Sequence, residues 1–264
     1  MAIDPQKQRR ILVVHGVQTG TNEDLNQHKL IKALVIDRLN GAPVDFDANI
    51  YRYEDLNDAA TRRLRRLFKL FLKNIIAEKT VDLTIDLVGD VLISLKGGVT
   101  AQKIRQGLID RILENYEDGN PLYLVAHSLG SIYAFDAVNE LINRRDLFDR
   151  ESRKTWPVQA LMTLGSPIGL RMFKRNRVRR FGRGRHFFRW INYWDRTDPI
   201  VSGSFYGKPQ QGYDIVERFN TEANDSGWFI QDRVVDVGRA WLAAHVGYWR
   251  HAAVGDDLAT LITT

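Results

Sequence analysis

A short apolar segment ends abruptly at a serine in the run Leu122-Tyr123-Leu124-Val125-Ala126-His127-Ser128-Leu129-Gly130, and a helical pattern follows from Ser131 onward. A strand that turns this sharply into a helix leaves room only for small side chains two residues before and two residues after the serine. Ala126 and Gly130 meet that requirement. The run therefore predicts a strand–turn–helix unit that lifts the Ser128 hydroxyl above a sheet, where a base can reach it.

Further apolar runs alternate with helical or loop segments along the chain. Several of them are continuously apolar, as expected for strands that are buried on both faces of a parallel sheet. This alternation predicts an α/β fold with a doubly wound sheet. We expect strands at 11–15, 48–53, 122–126, 158–164, 189–194 and 230–237, and helices at 23–39, 101–116, 131–145 and 255–263.

The length of 264 residues suffices for one large α/β domain, and neither a repeat nor a low-complexity linker divides the chain. We therefore expect a single domain, 1–264, with two insertions. In the first, 55–100, apolar residues recur at helical spacing with most of the cations on the other side, which favours a helical, lid-like element. The second, 171–189, is a basic loop with nine Lys or Arg residues, interleaved phenylalanines and no acidic residue.

Positive charge is concentrated in these two insertions, and the net charge of the chain is +6. Because the cations of 171–189 repel one another, we expect an anionic partner there. The amphipathic segment at 61–77 could bind anionic lipid headgroups, and the alternative interpretation is a helix whose charged face is simply exposed to solvent. No nucleic-acid partner is expected. The apolar run that follows the polar N-terminus, Ile11 to Val14, is too short for a signal-peptide core, and no apolar run is long enough for a membrane span. We expect a cytoplasmic protein with peripheral contact to an anionic membrane surface.

The histidine content limits the choice of a base for Ser128. A serine hydroxyl is a poor nucleophile unless a base removes its proton, and histidine is the usual base. Of six histidines, only His245 and His251 follow the last predicted strand. We favour His245, which lies closer to the end of that strand, and keep His251 as the alternative. His127 adjoins the serine and is expected to point away from its hydroxyl.

Two aspartates after the fifth predicted strand are candidates for the carboxylate that orients the base. Asp198 precedes Pro199, which biases its backbone toward extended geometry at the exit of a strand. Asp195 lies closer to the strand and has Arg196 beside it. We favour Asp198 and leave Asp195 open.

Backbone amides near Ser128 are candidates for an oxyanion hole, which needs two donors aimed in advance. One is the amide of Leu129, at the start of the helix after the serine. The other comes from the loop after the first strand, where we choose Val17 in the run Val14-His15-Gly16-Val17-Gln18-Thr19-Gly20.

The ordered set of these segments resembles the α/β-hydrolase superfamily of serine esterases and lipases, and is similar to lipase-like hydrolases that include inositol-deacylase relatives. The resemblance implies a mostly parallel sheet of about six strands flanked by helices, without the first two strands of the family, and it requires the chain order Ser128, Asp198, His245. The residues that carry it are Val13-Val14-His15-Gly16, Ala126-His127-Ser128-Leu129-Gly130-Ser131, Thr163-Leu164-Gly165-Ser166-Pro167, Asp198-Pro199-Ile200-Val201 and His245-Val246-Gly247-Tyr248.

Residues and resemblance together predict a serine carboxylic-ester hydrolase that cleaves acyl esters through an acyl-enzyme intermediate. The basic insertions point to a lipid-like substrate. Neither a cofactor nor a metal is expected, and the absence of cysteine excludes thiolate metal sites. Two alternatives stay open: a non-catalytic lipid-binding protein of the same fold, and a thioesterase or amidase that uses the same three residues.

Overall fold

The computed structural model describes residues 3–16, 26–53, 99–142, 144, 156–169, 189–202, 230–238 and 242–264. The strands are β1 (Arg9–Val14), β2 (Phe46–Tyr51), β3 (Leu122–His127), β4 (Val158–Leu164), β5 (Arg189–Trp194) and β6 (Ile230–Val234). The α-helices in the same part of the chain are α1 (Gln27–Leu39), α2 (Val99–Glu117), α3 (Leu129–Ile142), α4 (Pro199–Ser202), α5 (Leu242–Gly247) and α6 (Ala252–Thr263). Short 3-10 turns cover Pro167–Gly169 and Tyr248–Arg250.

The six strands form one sheet in the order β2-β1-β3-β4-β5-β6, and every neighbouring pair is parallel. This arrangement confirms the predicted α/β fold with a parallel sheet of about six strands flanked by helices. The strand order reverses at β1, which lies between β2 and β3. In open parallel sheets, ligands bind beyond the carboxyl ends of the strands at such a reversal. The residues that follow β1 and β3 are therefore in the position where a site is expected.

Both faces of the sheet are buried. In β3, Leu124 and Ala126 belong to a core cluster that includes residues of α2 and α3. Tyr123 and Val125, which point to the opposite face, belong to a second cluster with residues of α1 and α6. Because successive residues of β3 pack against different helix layers, the strand is apolar or aromatic from Leu122 to Ala126 and is buried throughout.

The structure also departs from the sequence-based predictions. The short helices α4 and α5 were not predicted, and the last strand ends at Val234 rather than at 237. Helix α3 begins at Leu129, two residues earlier than expected, because Ser128 alone makes the turn. Of the two predicted insertions, only 99–100, at the start of α2, and Arg189, at the start of β5, are described; the rest lies outside the described residues. None of the helices in the described ranges has the length and apolar character needed to cross a bilayer.

Gly130 lies where the start of α3 crosses the carboxyl end of β1. A Cβ atom at this position would overlap the carbonyl oxygen of His15 and lie 2.5 Å from that of Val14. Backbone oxygens cannot rotate away, so we expect Gly130→Ala to lower the free energy of unfolding by about 3 kcal/mol, the upper end of overpacking costs. Urea denaturation measures this loss.

Gly41→Ala is the matched control for that substitution. Gly41 has a positive φ of +83°, and a Cβ atom there would have no neighbour within 4 Å. Only backbone strain of about 1–2 kcal/mol is expected at this site. Equal losses for the two variants would show that the crossing of α3 and β1 is not tight.

Candidate active site

Ser128 occupies a strained turn between β3 and α3. Its φ of +51° lies in the left-handed region that residues other than glycine seldom adopt. Such a backbone costs about 1–3 kcal/mol and persists where the surrounding structure enforces it, commonly at functional sites. The Ser128 amide donates to the carbonyl of Leu164 at 3.0 Å, which ties the turn to the end of β4. This is the geometry of the strand–turn–helix unit expected from the sequence.

The hydroxyls of two neighbouring serines form a hydrogen-bonded chain that ends at the backbone carbonyl of this turn. Ser131 Oγ donates to the carbonyl of Ser128 at 2.5 Å and lies 2.6 Å from Ser166 Oγ. Ser166 Oγ in turn accepts the amide of Ile168 at 3.3 Å. Both serines are fully buried. Ser166 therefore belongs to a buried turn that supports the strand–turn–helix unit at Ser128.

The Leu129 amide lies at the amino end of α3. It belongs to the first turn of the helix, where amides have no intrahelical acceptor, so it is available to an external one. Because Gly130 packs directly against the end of β1, the beginning of the loop after β1 lies beside this amide. Val17, the other predicted donor, lies outside the described residues.

His245 and Asp198 form a hydrogen-bonded pair on α5 and at the start of α4. The imidazole Nδ1 and the carboxylate Oδ2 are 2.9 Å apart, and both side chains are buried. A carboxylate only accepts, so Nδ1 carries the proton and Nε2 carries the lone pair of a neutral ring. His245 Nε2 is buried and has no hydrogen-bond partner among the described residues. The arrangement leaves one basic nitrogen ready to accept a proton.

Asp198 is held by two further donors. The Ile200 amide donates to Oδ1 at 2.9 Å, so that Asp198 also caps α4, with Pro199 at the first helical position. The Tyr248 hydroxyl donates to Oδ2 at 2.8 Å. Burial and the Asp198 charge raise the pKa of the Tyr248 hydroxyl well above its usual value, so this group stays a neutral donor. These contacts fix the carboxylate in front of the imidazole.

Asp195, the alternative acid, faces a different set of partners. Its Oδ1 accepts both the amide and the hydroxyl of Thr197, at 2.7 and 2.6 Å, and its Oδ2 accepts the amide of Val237 at 2.9 Å. This carboxylate therefore ties the loop after β5 to the segment after β6. The aspartate that the structure brings to His245 is Asp198.

Gly165 connects the serine turn with the acid–base pair. It follows Leu164, whose carbonyl accepts the Ser128 amide, and its φ is +55°. A Cβ atom at this position would lie 2.9 Å from Asp198 Oδ2 and 3.1 Å from His245 Nδ1. The backbone therefore passes directly against the pair. Ser128 follows β3, Asp198 lies after β5, and His245 lies on α5, after β6.

The alternative base, His251, is placed elsewhere. Its Nδ1 accepts the amide of Ala253 at 3.3 Å, so that it caps the amino end of α6. His15 stacks on Tyr53 with ring centroids 4.6 Å apart.

Two residues in this region were not assigned any role from the sequence. Tyr248 lies three residues after His245, on the 3-10 turn that follows α5, and its link to Asp198 depends on how that turn folds back. His127 was expected only to point away from the serine hydroxyl, but its imidazole also contacts His245. A histidine directly before the serine was the only sequence signal for this second contact.

Comparison with known proteins gives distant similarities. No protein-family model and no curated protein sequence matches the chain. An alpha-beta serine hydrolase homologue from Coxiella burnetii is 11% identical, with 99% of this chain and 85% of that chain covered and a TM-score of 0.37. Dienelactone hydrolase from Anabaena variabilis is 14% identical, with coverages of 98% and 85% and a TM-score of 0.41. A thermostable esterase from Pseudomonas putida is 10% identical, with 98% of this chain and 73% of that chain covered and a TM-score of 0.41. These similarities are too distant to assign an activity.

Proposed function

We propose that this chain is a serine hydrolase that cleaves carboxylic esters, with Ser128 as nucleophile, His245 as base and Asp198 as the orienting acid. The observation that carries the proposal is the buried His245–Asp198 hydrogen bond at the end of the sheet that also holds Ser128 in a left-handed turn. Strain at the serine and a buried acid–base pair beside it are features that folding alone does not require.

The first chemical step is attack of Ser128 Oγ on the ester carbonyl. The hydroxyl proton passes to His245 Nε2, the nitrogen that is left free when Nδ1 donates to Asp198. Asp198 keeps its negative charge and stabilises the imidazolium that forms. The Tyr248 hydroxyl and the Ile200 amide hold the carboxylate in place during this charge change.

The tetrahedral intermediate carries its negative charge on the former carbonyl oxygen. The Leu129 amide, at the start of α3, is one donor to this oxyanion, and the helix dipole adds to its effect. We propose the amide of Val17 as the second donor. His245 then gives its proton to the leaving alcohol, which leaves an acyl group on Ser128. Water, activated by the same imidazole, releases the acid and restores the serine.

For the substrate we propose a lipid-like acyl ester, and for the surroundings contact with an anionic membrane. This part of the proposal is supported by the sequence of 171–189, with its nine cations and interleaved phenylalanines. Basic residues attract anionic headgroups and aromatic rings partition into the membrane interface. A thioester or an amide would be attacked by the same residues, so the leaving group has to be determined by assay.

A fluorophosphonate probe tests the proposal directly, because it reacts only with an activated serine. We expect stoichiometric labelling of the purified protein and a labelled peptide that contains Ser128. A series of p-nitrophenyl esters of increasing chain length, followed by a thioester and an amide of the preferred acyl group, then defines the substrate class.

Absence of labelling, together with absence of ester hydrolysis, would contradict the proposal. If a protein that the probe does not label still floats with anionic liposomes, the result would favour the non-catalytic lipid-binding alternative. If the probe labels the protein but the protein does not float with anionic liposomes in low salt, the proposed hydrolase activity would be supported and the proposed membrane contact contradicted.

A further inference from the structure

We infer that His127 is a positioning residue that fixes the position of His245 relative to the carboxyl end of β3. This inference rests on the proposed function of His245 as the base. The imidazole of His127 has no part in the proton transfers described above. It nevertheless joins the strand that carries the nucleophile to the helix that carries the base.

The contact has two components. His127 Nε2 lies 2.6 Å from the backbone carbonyl oxygen of His245. The two imidazole rings are also packed against each other, with centroids 4.6 Å apart and an angle of 37° between their planes. Trp249 covers the His127 ring from another direction, with centroids 5.1 Å apart. The His127 side chain is buried by these neighbours.

The direction of the hydrogen bond follows from chemistry. A carbonyl oxygen only accepts, so the proton of the neutral His127 ring lies on Nε2. Burial, and next the neighbouring His245 ring, lower the pKa of His127 well below its usual value, so that the ring stays neutral. A neutral His127 adds no positive charge beside His245, which itself becomes cationic during catalysis.

The two elements joined by this bond differ in how they are supported. His127 is the last residue of β3, which pairs with β1 on one side and β4 on the other. His245 lies on α5, a helix of six residues, and helices of this length are not stable by themselves. The rigid strand therefore sets the position of the short helix. Because Ser128 follows His127 directly, the same strand end positions both the nucleophile and the proposed base.

Two variants of His127 separate the hydrogen bond from the ring. His127→Phe keeps an aromatic ring for packing and removes the donor. His127→Gln places an amide donor at about the reach of Nε2. Thr163→Val is the matched control: Thr163 is a buried residue of β4 whose hydroxyl donates to Asn192 Oδ1 at 2.7 Å and accepts from Trp190 Nε1 at 3.0 Å. It removes buried hydrogen bonds without touching His245.

For His127→Phe we expect kcat on the best p-nitrophenyl ester to fall by about 10- to 100-fold with little change in KM, the range that a small misplacement of a catalytic group produces. His127→Gln is expected to recover most of the lost kcat. Thr163→Val is expected to lower the unfolding midpoint in urea and to leave kcat within about twofold of the wild type, since no catalytic contact changes.

Proton NMR gives a readout that does not depend on turnover. The Nδ1–H of His245, bonded to a buried carboxylate, gives a far-downfield resonance, which Asp198→Asn assigns by removing it. We expect His127→Phe to shift or broaden this signal, and His127→Gln and Thr163→Val to preserve it. Unchanged kcat and an unchanged resonance in His127→Phe, or a loss that Gln does not recover, would overturn the inference. If the wild type neither reacts with fluorophosphonate nor cleaves esters, the proposed function fails, while the resonance still decides whether His127 positions His245.

Discussion

Replacing Ser128 with alanine is expected to reduce kcat for ester hydrolysis by about 10⁶-fold, the loss typical of removing the nucleophile from a catalytic triad. The alanine keeps the Cβ atom and removes only the hydroxyl, so binding of the ester should change little. Labelling by a fluorophosphonate should disappear in the same variant. Steady-state rates with a short p-nitrophenyl ester, and mass spectrometry of the labelled protein, measure the two effects.

Ser131→Ala is the control for this experiment. The Ser131 hydroxyl donates to the backbone carbonyl of Ser128 and contacts the Ser166 hydroxyl. We expect a loss of about tenfold or less in kcat together with lower stability, because a buried hydrogen bond is removed. Retained activity in Ser128→Ala, or an equally large loss in Ser131→Ala, would contradict the role of Ser128.

Much of the fold could be predicted because the buried strands are apolar on both faces. All six strands were expected from runs such as 122–126 and 158–164, and α1, α2, α3 and α6 from the helical segments. The short helices α4 and α5 span only four and six residues, too few for a helical period to emerge from the sequence. They form because Asp198 caps one of them and the other packs against the end of the sheet.

The serine turn was also predictable, since local sterics alone demand small residues around it. The choice between Asp195 and Asp198 was not, because both follow β5 within a few residues and each is a good acceptor for backbone amides. Only the fold shows that Asp195 binds Val237, whereas Asp198 binds His245. In the same way, the links made by Tyr248 and His127 join residues 50 and 118 positions apart, and no local pattern encodes them.

Exchanging each of these two aspartates for asparagine is expected to separate their functions. In Asp198→Asn, we expect kcat to fall by about 10⁴-fold, because an amide in this position favours the wrong tautomer of the base and cannot stabilise the imidazolium. The side chain keeps its size and can still accept the Ile200 amide through its oxygen, so the fold should persist. Steady-state rates measured with a short p-nitrophenyl ester test this directly.

In Asp195→Asn, the expected result is the reverse. One carboxylate oxygen accepts two groups of Thr197 and the other accepts the amide of Val237, and an asparagine has only one accepting oxygen. We expect the free energy of unfolding, measured in urea, to fall by about 1–3 kcal/mol. We expect kcat to fall by no more than about tenfold. A 10⁴-fold loss of kcat in Asp195→Asn with a mild effect in Asp198→Asn would exchange the two roles. Equal and large losses in both would mean that the loop held by Asp195 also sets the position of Asp198, whose amide donates to the Asp195 carbonyl at 3.1 Å.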